Sequence, residues 1–76
     1  MDIKLLLTQL IATEAGLPVE EISGDEKFES FHLDSLSLIS LAFEVENITG
    51  IEQIDPTIFT EYDTINKLTA WVESQK

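Results

Sequence analysis

The sequence of 76 residues contains no cysteine and a single histidine, His32. Without cysteine the chain has no disulfide to cross-link its fold, no thiolate nucleophile and no cysteine ligand for zinc. General-base catalysis by His32 would need a second catalytic group, and none of a suitable type lies nearby in the sequence. We therefore expect a protein without catalytic activity of its own and interpret His32 as a structural or surface residue. The lack of cysteine is also compatible with a reducing cytoplasm.

Basic residues are scarce as well, since lysine and arginine together number four against fifteen aspartates and glutamates, which gives a formal charge of −11. This charge excludes nucleic acid and anionic membrane as partners. It favours proteins with basic docking faces, whose binding weakens as salt rises. The pairs Glu20-Glu21 and Asp25-Glu26 do not have the spacing of an EF-hand loop, so we predict a solvated face and no metal site.

Long apolar runs are absent too. The stretch Leu5-Leu6-Leu7 is interrupted by polar residues, and no small-residue cleavage site follows it, which indicates neither a signal peptide nor a membrane span. A hydrophobic content of 43% is enough for one small core. Because the chain is near the lower size limit for independent folding, we expect residues 1–76 to form a single domain that works as a monomer.

Helical spacing with clear stop signals defines the first helix. We predict it over Ile3–Ala15, with Asp2 as N-cap and with Gly16 followed by Pro18 to end it. Residues 17–34 then form a long connection without a strong period. Such a loop needs its own ties to the core, and we expect these to be Phe28, Phe31 and Leu33.

The second helix is predicted over Ser35–Thr49, ending at Gly50. One apolar stripe at helical spacing comprises Leu38, Leu41, Ala42, Val45 and Ile48. A second comprises Leu36, Ile39 and Phe43, and the polar stripe comprises Ser37, Ser40, Glu44 and Asn47. This apolar arc is wider than one core face needs. Either the helix is buried on most sides, or part of the second stripe meets a partner or cargo.

The remaining chain predicts two more helices. Asp55-Pro56 opens a short one through Phe59, because aspartate is a good N-cap and proline suits the first helical position. Asp63 or Thr64 caps the last one. No strand alternation is present, so we predict an all-α fold: a small bundle of three main helices plus one short helix.

The most distinctive stretch is Leu33-Asp34-Ser35-Leu36. Asp34 can cap the second helix, and Ser35 then lies in or beside its first turn, where the helix dipole favours a phosphate-type anion. On local sequence alone, Ser35 can be a second capping hydroxyl or an attachment point for a prosthetic group.

Taken together, this order of elements around Asp34-Ser35-Leu36 resembles the acyl carrier protein family, which includes the carrier domains of polyketide and nonribosomal peptide synthases. The segment from Asp55 to Ile65 is similar to the "P-T-x-F-x-x-Y-x-T-I" pattern of the synthase-type carriers, with Asp63 in place of their usual proline. The resemblance implies an acyl-carrier-like domain. It also implies a 4′-phosphopantetheine arm on Ser35, added from coenzyme A by a phosphopantetheinyl transferase.

In that family the arm holds acyl or aminoacyl groups as thioesters, so the resemblance implies a free-standing carrier for a fatty-acid, polyketide or related specialised pathway. Its partners would be loading and chain-modifying enzymes. In such a carrier, the apolar interior between the second helix and its neighbours would take in part of a short acyl chain. The alternatives are a peptidyl or aminoacyl carrier of a nonribosomal-peptide-type pathway, and an unmodified acidic adaptor. By resemblance, the partner-recognition residues are Asp34, Leu36, Ser37, Ser40, Phe43 and Glu44.

Two positions depart from the family pattern. Many members have glycine three residues before the serine, where this chain has His32. Acidic residues often line the exposed face of the second helix, where this chain has Ser37 and Ser40. Both departures bear on which transferase and which partner enzymes the chain accepts.

Overall fold

The computed structural model describes residues 2–75, and its regular elements are helical. The four α-helices are α1 (Ile3–Ala15), α2 (Ser35–Thr49), α3 (Ile58–Glu61) and α4 (Ile65–Ser74), and 3₁₀ turns occur at Val19–Glu21 and Phe28–Phe31. Residues 2–75 contain no β-strand beyond one isolated bridge. The predicted all-α bundle of three main helices and one short helix is confirmed. No helix in this part of the chain is both long enough and apolar enough to cross a membrane.

Both ends of α1 are closed as predicted. The Asp2 carboxylate accepts a hydrogen bond from the Leu5 backbone N–H at 3.1 Å. At the other end Gly16 has a φ of 71°, in the left-handed region that glycine occupies without a steric penalty. The Leu17 N–H donates to the Ala12 carbonyl at 3.0 Å, which completes a Schellman-type cap.

One hydrophobic core fills the centre of the bundle. It is built from the inner faces of α1, α2 and α4, which contribute Leu7, Ile11, Leu41, Val45, Ile65, Leu68 and Val72. Phe28 packs edge-on against Phe59 with ring centroids 5.7 Å apart, so the long connection and α3 close the same core. Phe28 and Phe31 are buried and Leu33 is half-buried, as predicted for the ties of that connection.

Hydrogen bonds fasten the long connection to the start of α4. The Phe28 N–H donates to the Asp63 carbonyl at 2.8 Å, and the Asn66 N–H donates to the Gly24 carbonyl at 3.0 Å. The Asn66 side-chain amide also donates to the Asp25 carboxylate at 2.6 Å. A Cβ on Gly24 would lie 2.6 Å from the Asn66 Oδ1, so a larger residue here would displace the Asn66 side chain. These contacts therefore fix the position from which the backbone enters α2.

The start of the short helix differs from the prediction. We expected Asp55 as N-cap and Pro56 as the first helical residue, but α3 begins at Ile58. The Asp55 carboxylate accepts from the Thr57 N–H at 2.9 Å, and its carbonyl accepts from the Ile58 N–H at 2.9 Å. These bonds make a turn that precedes the helix, because the short aspartate side chain satisfies the backbone two residues on.

The cap of α4 is Thr64, one of the two predicted candidates. Its hydroxyl accepts from the Lys67 N–H at 3.1 Å. The other candidate, Asp63, instead accepts from the Lys67 ammonium at 3.1 Å. That hydrogen bond and the lysine charge hold the pKa of Asp63 below its usual value.

Candidate functional site at the start of the second helix

Asp34 is the N-cap of α2. Its backbone is extended, and its carboxylate accepts from the Ser37 N–H at 2.8 Å. The Leu38 N–H donates to the Asp34 carbonyl at 3.0 Å, which starts the helical ladder. The bond from Ser37 stabilises the ionised carboxylate and so lowers the pKa of Asp34. The predicted capping role of Asp34 is therefore seen directly.

Ser35 follows as the first residue of α2 and is exposed. Its hydroxyl makes no hydrogen bond to any residue between 2 and 75, because Asp34 already takes the capping bond. The backbone thus places an unengaged hydroxyl at the N-terminal end of a 15-residue helix. Such an end attracts anions through its free N–H groups and the helix dipole.

His32 lies at the turn that leads into this site. It has a φ of 56°, and its N–H donates to the Glu29 carbonyl at 3.2 Å, which ends the 3₁₀ turn of Phe28–Phe31. A left-handed backbone suits glycine and strains a residue that carries a Cβ. The turn therefore has a conformation that suits glycine, and this chain adopts it with histidine.

Most of the predicted recognition residues lie on the outside of α2. Leu36 is 77% exposed and Phe43 is 61% exposed. Ser40 and Glu44 are exposed and Ser37 is half-buried. Ile39 is also 41% exposed, so the second apolar stripe faces outward and the helix is not buried on most sides.

A groove lies beside Ser35, and a second cleft lies next to it. The groove has a volume of about 270 Å³ and is lined by Ser35, Leu38, Ile39, Asp55, Pro56, Thr57 and Thr60. The cleft has a volume of about 180 Å³ and is lined by Phe28, Glu29, Leu33, Leu38, Phe59, Thr60 and Asp63. Leu38 and Thr60 line both spaces, so the groove and the cleft lie side by side. Within residues 2–75 no cluster of side chains is suited to hold a metal ion.

Glu46 has a structural role that no sequence pattern indicated. Its Oε2 accepts from the Ile54 N–H at 2.7 Å, which fastens the segment before α3 onto α2. Ile54 is buried, so its N–H needs this partner. Glu46 and Ile54 are eight positions apart in the sequence. No periodic pattern predicts that a side chain will accept a hydrogen bond from a backbone N–H so far along the chain.

Comparison with known protein families gives one match that covers most of the chain. The family described as "Phosphopantetheine attachment site" matches residues 6–72. The chain belongs to this family and is a carrier whose cofactor is 4′-phosphopantetheine. The resemblance drawn from the sequence is confirmed.

Individual relatives agree with this assignment. The chain is 38% identical over 65 residues to the non-reducing polyketide synthase nscA of Arthroderma otae, and 37% identical over 65 residues to the non-reducing polyketide synthase adaA of Aspergillus niger. Each match covers 86% of this chain but 4% of the relative, so the chain spans a small part of the length of these curated relatives.

A solved structure shares the fold over nearly the full chain. It is the crystal structure of a free-standing peptidyl carrier protein from a secondary metabolic pathway of Acinetobacter baumannii. The TM-score is 0.90 at 33% sequence identity, and the match covers 96% of this chain and 90% of that one.

Proposed function

We propose that Ser35 carries the 4′-phosphopantetheine arm and that the chain is a non-catalytic carrier served by other enzymes. The observation that carries this proposal is the exposed, unbonded Ser35 hydroxyl at the start of α2, in a chain of the phosphopantetheine attachment family. A transferase needs free access to that hydroxyl, and no structural bond has to be broken before the hydroxyl reacts.

The residues at this site fit the group. The arm is joined through a phosphodiester, whose negative charge is favoured by the N-terminal end of α2. In the transfer, Ser35 Oγ forms a bond to the phosphorus of the pantetheine phosphate in coenzyme A. The diphosphate bond breaks, adenosine 3′,5′-bisphosphate leaves, and the transferase takes the hydroxyl proton. The groove beside Ser35 has room for the proximal part of the arm.

When bound, the arm supplies a terminal thiol that holds cargo as a thioester. We assign the cargo to the acyl or polyketide class of a specialised pathway, with the fungal polyketide synthases as support. An aminoacyl or peptidyl cargo is the second candidate, and the peptidyl carrier from Acinetobacter baumannii supports it. The intact mass of the protein isolated from its native host distinguishes the two, because the thioester adds the mass of its acyl or aminoacyl group.

We extend the proposal to the enzymes that would bind this carrier. A phosphopantetheinyl transferase and the enzymes that load and modify the cargo would approach the start and outer side of α2. The residues that we assign to this recognition are Asp34, Leu36, Ser37, Ser40, Phe43 and Glu44.

We further propose that residues 1–76 act as one monomeric domain in the cytoplasm. One core joins α1, α2 and α4. The radius of gyration is 11.0 Å, which matches the value of about 11 Å expected for a compact domain of this length. The lack of cysteine agrees with a reducing compartment.

The test of the proposal is the intact mass of the purified protein before and after incubation with coenzyme A, magnesium and a broad-specificity phosphopantetheinyl transferase. We expect a gain of one arm in the wild-type protein and in Ser74→Ala, whose serine is exposed on α4, and no gain in Ser35→Ala. Circular dichroism of Ser35→Ala should show an intact helical fold. If a folded and initially unmodified wild-type protein gained no mass, the unmodified acidic adaptor would become the better interpretation.

A further inference from the structure

A further surface pocket lies apart from the attachment site and from the recognition residues of α2. It has a volume of about 320 Å³ and is formed by residues 51–57, α3 and the C-terminal end of α4. It shares Asp55 and Thr57 with the groove beside Ser35, but Ser35 itself does not line it. We call this space the Trp71 pocket, after the tryptophan that lines it.

Two aromatic side chains line the Trp71 pocket. Tyr62, directly after α3, and Trp71, on α4, have ring centroids 6.1 Å apart and ring planes tilted by 41°. Both residues are half-buried, so each remains partly accessible from solvent. The face of an aromatic ring attracts a cation that lies within about 6 Å of its centre. A cation in the pocket can therefore contact both rings.

Three carboxylates line the same pocket. They belong to Glu52, Asp55 and Glu61, and all three residues are exposed. Among residues 2–75 the one ion pair joins Lys67 to Asp63, and no lysine or arginine of this range lines the pocket. The negative charge is therefore not balanced within the described part of the chain, and a cleft lined by one sign of charge attracts the opposite one.

We propose that the Trp71 pocket receives an arginine side chain of a partner protein. A guanidinium is planar and weakly hydrated, so it stacks on aromatic rings, and its N–H groups donate in pairs to a carboxylate. The two rings and the three carboxylates match both properties of this one side chain. Because the carboxylate residues are exposed, a side chain that projects from a second protein reaches them without entering the core. The inference does not rest on attachment at Ser35.

The chain contains a built-in reporter for this site. Trp71 is its only tryptophan, so the tryptophan fluorescence comes from the pocket itself. The full chain is titrated with N-acetyl-arginine amide at constant ionic strength. N-acetyl-citrulline amide is the matched probe without a charge. N-acetyl-lysine amide and tetramethylammonium chloride are cationic probes without a guanidinium.

Two double variants with the same net charge locate the binding site. Glu52→Gln/Glu61→Gln removes two carboxylates from the pocket, and Glu20→Gln/Glu21→Gln removes two from elsewhere on the surface. Asp55 stays in place because its carboxylate holds the turn before α3. All four glutamates are exposed, so circular dichroism should show the wild-type fold for both variants.

We expect the arginine amide to change the Trp71 fluorescence with saturation and a dissociation constant on the order of 1–10 mM, as suits a single small group. The pocket variant should weaken this binding by about fivefold or more, because charge-assisted hydrogen bonds are lost. The surface variant should change it by less than about twofold. The lysine amide and tetramethylammonium should bind about threefold more weakly or worse, and the citrulline amide should not saturate.

Several results would overturn the inference. One is an arginine amide that causes no saturable change, and another is equal weakening by the two double variants. Citrulline amide that binds as tightly as arginine amide would show that charge is not recognised. Lysine amide or tetramethylammonium that binds as tightly as arginine amide, or more tightly, would exclude arginine as the preferred occupant. None of these results bears on the attachment at Ser35, which the mass measurement tests separately.

Discussion

The inner and outer faces of α2 carry similar apolar side chains in opposite surroundings. Leu41 and Val45 are 1% and 2% exposed, whereas Leu36 and Phe43 are 77% and 61% exposed. The inner face packs on α1 and the common core, and the outer face continues from the exposed Ser35. Residue type alone therefore does not separate a core position from an exposed one. The elements that lie across from each face of the helix make that difference.

The largest expected difference between the two faces is in stability. Leu41→Ala leaves a cavity in the core, which costs about 2–5 kcal/mol of the free energy of unfolding. A domain of 76 residues has a total of roughly 4–11 kcal/mol, so this variant should be partly or largely unfolded. Phe43→Ala should change the value by less than about 0.5 kcal/mol. Urea titrations followed by circular dichroism measure both, and equal losses would mean that the two faces are not distinct.

A second test compares the two acidic residues of α2. Glu46→Ala leaves the buried Ile54 N–H without its acceptor, and we expect a loss of about 1–3 kcal/mol in the free energy of unfolding. Glu44→Ala, on the exposed side, is the matched control and should be nearly neutral. Urea titrations of both variants measure these changes. If Glu46→Ala left the free energy of unfolding unchanged, the bond between Glu46 and Ile54 would not be needed to hold the segment before α3 on α2.

The turn before α2 gives a smaller effect of the opposite sign. His32 has a left-handed backbone, so His32→Gly should relieve strain and raise the free energy of unfolding by about 1 kcal/mol or less. His32→Ala is the control, since it keeps the Cβ and should bring no such gain. Thermal melts of the three proteins measure the effect. A gain in the alanine variant would assign the strain to the imidazole instead of the backbone.

The smallest expected effect is on the pH dependence of stability, through Asp34 at the start of α2. The hydrogen bond from Ser37 lowers the pKa of Asp34 below 3.8 in the folded state. The ionised carboxylate therefore stabilises the fold above this value, and the contribution is lost as pH falls through the lowered folded-state pKa. Asp34→Asn keeps an acceptor oxygen without the charge.

Thermal melts of wild type and Asp34→Asn at several pH values measure that contribution. Wild type should have the higher Tm at neutral pH, and the difference should shrink once the pH falls below 3.8. A difference that stayed constant into acid would contradict the role of the carboxylate charge.

Local chemistry explains which elements were predicted correctly. The bounds of α1 and α2 agree with the prediction because Asp2, Gly16, Asp34 and Gly50 act on the backbone within a few residues of themselves. The start of α3 was predicted too early, because Asp55 makes a turn with Thr57. An Asp-Pro pair looks the same in the sequence whether the aspartate caps a helix directly or makes a turn that precedes the helix.

Caps, helical spacing and the Asp34-Ser35-Leu36 motif are all encoded locally, so the helical bundle, the carrier family and the start of α2 as the candidate site could be predicted from them. Tertiary packing decided that the second apolar stripe faces outward and that Glu46 holds Ile54. It also decided that Asn66 closes over Gly24. These features depend on which segments meet in space, and that is set by the packing of the whole core.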